Sequence, residues 1–215
     1  MISHLPFDLK AIWDGLADRL GLGTEIWIRL VAAYGESHRH YHTLDHIRAV
    51  VARYEDLRDR FDDPDAALLA LFFHDIVYDP ARQDNEDLSA ETLAALLSGK
   101  TAERACRHIV ATRTHEADDD PDTALVVDID MSILAAPWPK YLAYAENVAR
   151  EYLPVYGVDA YQTGRNDFFL QPMIMRDRIF VTETFAPCEA AARDNLKAER
   201  ALWQTGAFAA RLHDD

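Results

Sequence analysis

The sequence predicts an all-α fold, a single domain (residues 1–215) built as a bundle of roughly eight to ten helices. Three observations carry that expectation. Apolar residues recur at helical spacing along most of the chain, and convincing strand alternation is absent. The periodic stretches are bounded by capping residues and helix-stopping glycines. With 49% hydrophobic residues and no Gly-, Ser- or Pro-rich linker, 215 residues suffice for one sizeable core.

In order, Leu9, Ile12, Trp13, Leu16 and Leu20 line a first helix that stops at Gly21. Thr24 stands where it can cap a second, which carries Ile26, Trp27, Leu30, Val31 and Tyr34 and closes at Gly35. The histidine-rich connector ESHRHYHT (36–43) follows. Thr43 then caps a third helix with Leu44, Ile47, Val50, Val51, Tyr54 and Leu57 on its apolar face. Asp63–Pro64 is an N-cap and first-turn start for a central helix. Helices are expected near 86–98, ahead of Gly99, and over 101–115. Asp120–Pro121 opens another through Leu125, Val126, Ile129, Ile133 and Leu134. Pro137 and Pro139 break the chain before a helix near 140–152. Residues 160–185 supply one or two more, and the last helix runs over 187–205 to Gly206.

The central stretch, LLALFFHDIVYD (68–79), is apolar on nearly every side, which marks a helix at the middle of a bundle. His74, Asp75 and Asp79 are costly there unless hydrogen bonds, opposite charges or a metal compensate them. A His-Asp dipeptide alone means little, and the second one, His213–Asp214, reads as chance. His74–Asp75 differs because of its apolar setting. Neighbouring helical residues point ~100° apart, so one ion between them needs further donors from other helices. The chain offers His46 in YHTLDHIRAV, with His42 one turn earlier, and Asp128 and Asp130 in ALVVDIDMSIL.

This order, a His, an adjacent His-Asp and a distal Asp, resembles the HD superfamily of metal-dependent phosphohydrolases. More closely, RHYHTLDHI, FFHDIVYD, DNEDLSA, DIDMSIL and EAAARDNLKAE resemble a bacterial subfamily of predicted HD phosphohydrolases over nearly the whole chain. The resemblance implies His46, His74, Asp75 and Asp130 as metal ligands, with Asp128 the alternative to Asp130. Two imidazoles and two carboxylates suit Mn, Fe, Co, Ni or Zn, and Mg is also admissible, as one ion or two. Such a metal acidifies water and polarises a phosphoryl group. The substrate implied is a small phosphate ester or nucleotide.

Around these ligands, Asp79, expected one turn past Asp75 on the same face, is a candidate for activating water; the alternative is a cap before Pro80. His115, at the end of its helix, is a candidate to contact phosphate or a second ion, or else it meets the helix dipole. His42 is a candidate for a substrate or supporting role. Arg113 and Arg165 are candidate phosphate clamps, because arginine offers a planar, permanently charged fork. Asn85 and Glu86 either close over the site or cap the next helix. Tyr78, Trp138, Tyr141 and Tyr161 read as packing.

The net charge of −15 argues against a nucleic-acid polymer as partner. No apolar run reaches the ~18 residues of a membrane span, and the first residues lack a leader's layout. Cys106 and Cys188, far apart, read as reduced thiols. A cytoplasmic protein is expected, with apolar residues in the last helices available to a homodimer. The competing reading is a metal-bearing regulatory or ligand-binding module without turnover; the blandest is a bundle whose His and Asp are satisfied core polars.

Overall fold

The bundle is assembled around α4 (Pro64–Phe73), in which every residue from Ala66 to Phe73 is buried. A helix apolar on all sides must be enclosed on all sides. In this computed structural model, which describes residues 7–117 and 119–212, α3 (Leu44–Leu57), α6 (Lys100–Ala111), α7 (Pro121–Met131) and α1 (Leu9–Leu20) pack against it. His213–Asp214 lies outside the described residues. No strand occurs among the described residues, and no described helix is long and apolar enough to cross a membrane. Both cysteines are free.

Several starts are capped as their residue types require. Asp8 accepts from the amides of Lys10 and Ala11, Thr43 from Asp45, Asp63 from Ala66, and Asp120 from Asp122. Thr24 does not cap. It is the first residue of α2 (Thr24–Tyr34), and Gly23 precedes it without a side-chain bond.

Three stretches differ from the periodicity. The central helix stops at Phe73 rather than running to Asp79, because side chains from elsewhere take its terminal carbonyls. The Tyr34 hydroxyl donates to the Phe72 carbonyl at 2.8 Å, and buried Arg39 donates to the Asp75 carbonyl at 2.6 Å and the Ile76 carbonyl at 3.1 Å. The helix expected over 101–115 ends as α6 at Ala111, and residues 112–115 turn away, with His115 at φ 52°. After α5 (Asn85–Ala94) and a 3-10 turn over 132–135, α8 runs from Trp138 to Gly164. Pro139 is tolerated in its first turn, where an amide has no helical partner. Gly157 bends α8 at φ 72°, ψ 169°, a conformation essentially reserved for glycine. A π-helical segment over 165–170 leads into α9 (Gln171–Met175).

The closing helix α10 (Glu189–Gln204), followed by the short α11 (Ala207–Arg211), braces this arrangement. Asn195 donates to the Leu134 and Ala136 carbonyls, both at 2.8 Å. Glu189 accepts from the amides of Ile179 and Phe180, and Arg193 holds the Ile174 and Arg176 carbonyls. The EAAARDNLKAE segment therefore works as scaffold.

Candidate metal centre

Four side chains from α3, the end of α4 and α7 converge on one point. His46 Nε2 lies 3.0 Å from His74 Nε2, 3.2 Å from Asp130 Oδ1 and 3.6 Å from Asp75 Oδ2. His74 Nε2 lies 2.9 Å from Asp75 Oδ2 and 3.5 Å from Asp130 Oδ1. Donors about 2.0–2.2 Å from a common ion stand about 3.0–3.6 Å apart in tetrahedral or octahedral arrangements. The set could bind a metal ion. His46, His74 and Asp75 meet the spacing of a metal-holding group, and Asp130 lies beside both imidazoles.

Local structure explains how adjacent His74 and Asp75 face one point. His74 is the residue at which α4 ends, and the turn behind it frees Asp75 from helical geometry. Arg39 holds that turn. Its guanidinium lies 5.2 and 5.3 Å from the rings of Tyr34 and Tyr78, and it also donates to the His42 carbonyl and to Glu36. His74 Nδ1 sits 3.1 Å from the Leu71 carbonyl, which only accepts. Nδ1 thus carries a hydrogen, so Nε2, facing the cluster, is the nitrogen whose lone pair a metal would take on displacing its proton.

The electrostatics favour a cation. Burial disfavours protonated His74, yet the carboxylates of Asp75 and Asp130 outweigh it and raise its pKa well above the usual imidazole value. Burial likewise works against ionised Asp75 and Asp130, but His74 and the neighbouring imidazoles hold both below the usual carboxylate range. Two carboxylates this enclosed stay ionised only beside positive charge.

Two cavities flank the cluster. One, of about 750 Å³, is lined by His42, His74, Asp75, His115 and Asp130 on one side and by α8 and the π-helical segment on the other. The second, of about 760 Å³, also reaches His46 and Asp130. Tyr41 and Tyr144, with ring centroids 4.7 Å apart, line both.

The other sequence candidates divide. His115 belongs to the site, with Nε2 3.5 Å from Asp130 Oδ2. His42 lines the first cavity, its Nδ1 2.7 Å from Glu151 Oε2. Asn85 and Glu86 also line it. Asn85 ties the loop by exchanging two bonds with the Asp79 backbone, and Glu86 pairs with Arg113 at 3.3 Å. Three expectations are corrected. Asp128 is not the distal ligand: its buried carboxylate accepts from the Val181 and Thr182 amides and the Thr182 hydroxyl. Asp79 does not continue the face of Asp75. It is exposed in the turn after α4, accepts from the Ala81 amide, and is not part of the cavity wall. Arg165 is no free clamp, since Glu199 takes its guanidinium at 2.9 and 3.1 Å. Arg113, at the rim, is engaged by Glu86 and Asp87.

Sequence reasoning missed Arg39 and Glu151. The buried Glu151 carboxylate accepts from the amides of His40, Tyr41 and His42, from His42 Nδ1 and from the Tyr78 hydroxyl. Burial would raise its pKa, but His42 and the amides bring it down to about 2. In return His42, despite burial, is raised by Glu151 and nearby carboxylates. The available signal for Glu151 was its i+3 spacing from Val148, on the face that also carries Ala145.

Comparisons with protein-family models, curated proteins and solved structures gave no match.

Proposed function

We propose that this protein is a metal-dependent phosphohydrolase that cleaves a phosphate ester of a small molecule or nucleotide with activated water. The observation that carries the reading is the convergence of His46, His74, Asp75 and Asp130, from three helices, at the edge of a 750 Å³ cavity. Those four residues would hold the ion, which when bound acidifies water and withdraws electrons from the phosphoryl group.

The chain's own residues supply the rest. His42, whose basicity Glu151 raises against burial, presents its imidazole on the cavity wall where both nearby arginines are already paired. His115 Nε2, beside Asp130, is placed to take up and return a proton at the rim. Tyr41 and Tyr144 narrow the space around the cluster and limit bulk water.

The test is metal analysis of purified protein, paired with phosphate release from phosphomonoesters, nucleotides and cyclic nucleotides. Wild type is compared with a His74→Ala/Asp75→Ala double variant. Near-stoichiometric transition metal with turnover, both lost in the variant, supports the reading. Metal without turnover moves the assignment to a metal-bearing regulatory or ligand-binding module. No metal after purification without chelators sinks both.

A further inference from the structure

The carboxylate of Glu151, on α8, is wholly enclosed and lines neither cavity, yet it commands the histidine-rich connector. Its two oxygens divide the work. Oε1 accepts from the amides of His40, Tyr41 and His42 at 2.7, 2.7 and 3.0 Å. Oε2 accepts from His42 Nδ1 at 2.7 Å and from the Tyr78 hydroxyl at 2.8 Å. One oxygen therefore ties down a stretch of backbone, and the other aims a single ring. Tying the loop needs only the first.

That ring is held on its other sides too. The Tyr78 ring lies over it with centroids 4.2 Å apart at 31°, and Tyr41 meets it edge-on at 5.0 Å. A carboxylate only accepts, so His42 Nδ1 carries a hydrogen. Nε2 makes no hydrogen bond among the described residues and is not an enclosed atom. His42 stands outside the metal-spaced group, but it lines the first cavity together with His74, Asp75, His115 and Asp130. On that wall Arg82, Arg113 and Arg165 are each paired with a carboxylate, so an imidazole is the group left to meet an anionic oxygen. A phosphate, with both P–O⁻ and P–OH, can pair with Nε2 in either protonation state of the ring. An acid that fixes one imidazole nitrogen so that the other faces the reactants is how proteins aim a working histidine.

We propose that Glu151 is a positioning residue, which sets the His42 ring so that Nε2 contacts a phosphate held in the first cavity. That this phosphate belongs to a substrate rests on the phosphohydrolase reading; the contact itself does not.

The test is a double-variant cycle on protein purified without chelators: wild type, Glu151→Gln, His42→Ala and the two combined. Each is titrated calorimetrically with inorganic phosphate and assayed for phosphate release from esters. The glutamine carbonyl can keep the three amides, because the opposite orientation would set its NH2 against three donors. Its NH2 then faces His42 Nδ1, which must accept, so that Nε2 only donates. His42→Ala is expected to weaken phosphate binding about tenfold or more, the worth of a hydrogen bond to a charged group. Glu151→Gln should weaken it about three- to tenfold with His42 present, and less than about twofold once His42 is alanine. An equal loss with and without His42 reduces Glu151 to scaffold and overturns the proposal. So does a His42→Ala variant that binds phosphate as wild type does, or a wild type that binds none. If thermal melts show Glu151→Gln unfolded, ¹H–¹⁵N NMR of histidine-labelled wild type decides, with His42 assigned by its absence in His42→Ala. Its Nδ1 must then carry a hydrogen, and an Nδ1 lone pair overturns the positioning. The expected binding pattern without release from any ester rejects the hydrolase and keeps the positioning; release with losses that simply add does the reverse.

Discussion

At the scale of single residues, two aspartates two positions apart on α7 have opposite fates. Asp130 faces the imidazoles of His46 and His74, while Asp128 is consumed by the 181–182 backbone. Asp130→Ala is therefore expected to strip the metal and cost little stability, because it relieves a crowd of buried ionisable groups. Asp128→Ala should retain metal but lose about 1–3 kcal/mol, since two part-buried amides and a hydroxyl lose their acceptor. Metal content and urea unfolding on both variants decide it, and the reverse pattern would exchange their roles. Nothing in DIDMSIL distinguishes the two carboxylates chemically. Their difference is legible only once the 181–182 loop is seen to lie over one of them.

At the scale of elements, the decisive event is the early end of α4. A continued helix would splay His74 and Asp75 ~100° apart. The turn held by Arg39 brings Asp75 Oδ2 to 2.9 Å from His74 Nε2 instead. Arg39 touches no ligand side chain, only carbonyls, Glu36 and two aromatic faces. Arg39→Lys should thus weaken metal affinity about 10–100-fold, as loss of an outer support does, while leaving helix content by circular dichroism unchanged. The point charge of lysine cannot span several carbonyls as the guanidinium fork does. An affinity equal to wild type would show that the turn holds without it.

At the scale of the whole molecule, buried titratable groups make stability depend on pH. His108 is fully enclosed, and burial pushes its pKa down to about 4. Below about 6.5 the unfolded chain takes up a proton that the folded protein refuses until about 4. Stability therefore falls as pH falls through that window, by about 3 kcal/mol in all. Glu151, held near 2 in the fold, adds a further loss between about 4.5 and 2. His74, raised, works in the opposite sense in the metal-free protein, so the clean measure is a difference. The stability advantage of wild type over His108→Gln should shrink between pH 7 and 4 in urea titrations. An advantage constant with pH would mean that His108 titrates normally.

The sequence by itself determined the helical class, most helix starts and the residues worth watching. Apolar spacing and capping chemistry are local, and a His or Asp inside an apolar run is conspicuous wherever the run ends up. It also marked His42, His46, His74, Asp75, Asp128 and Asp130, because ionisable groups in three apolar settings each need a partner. Only the tertiary structure decided which groups answered that need. It gave Asp128 to a backbone loop, Arg165 to Glu199 and His42 to Glu151, and it put Asp79 in solvent by ending α4 early. These outcomes are pairings between residues as many as 109 positions apart, and the hydrogen-bond partner of a buried group is set by what packs over it.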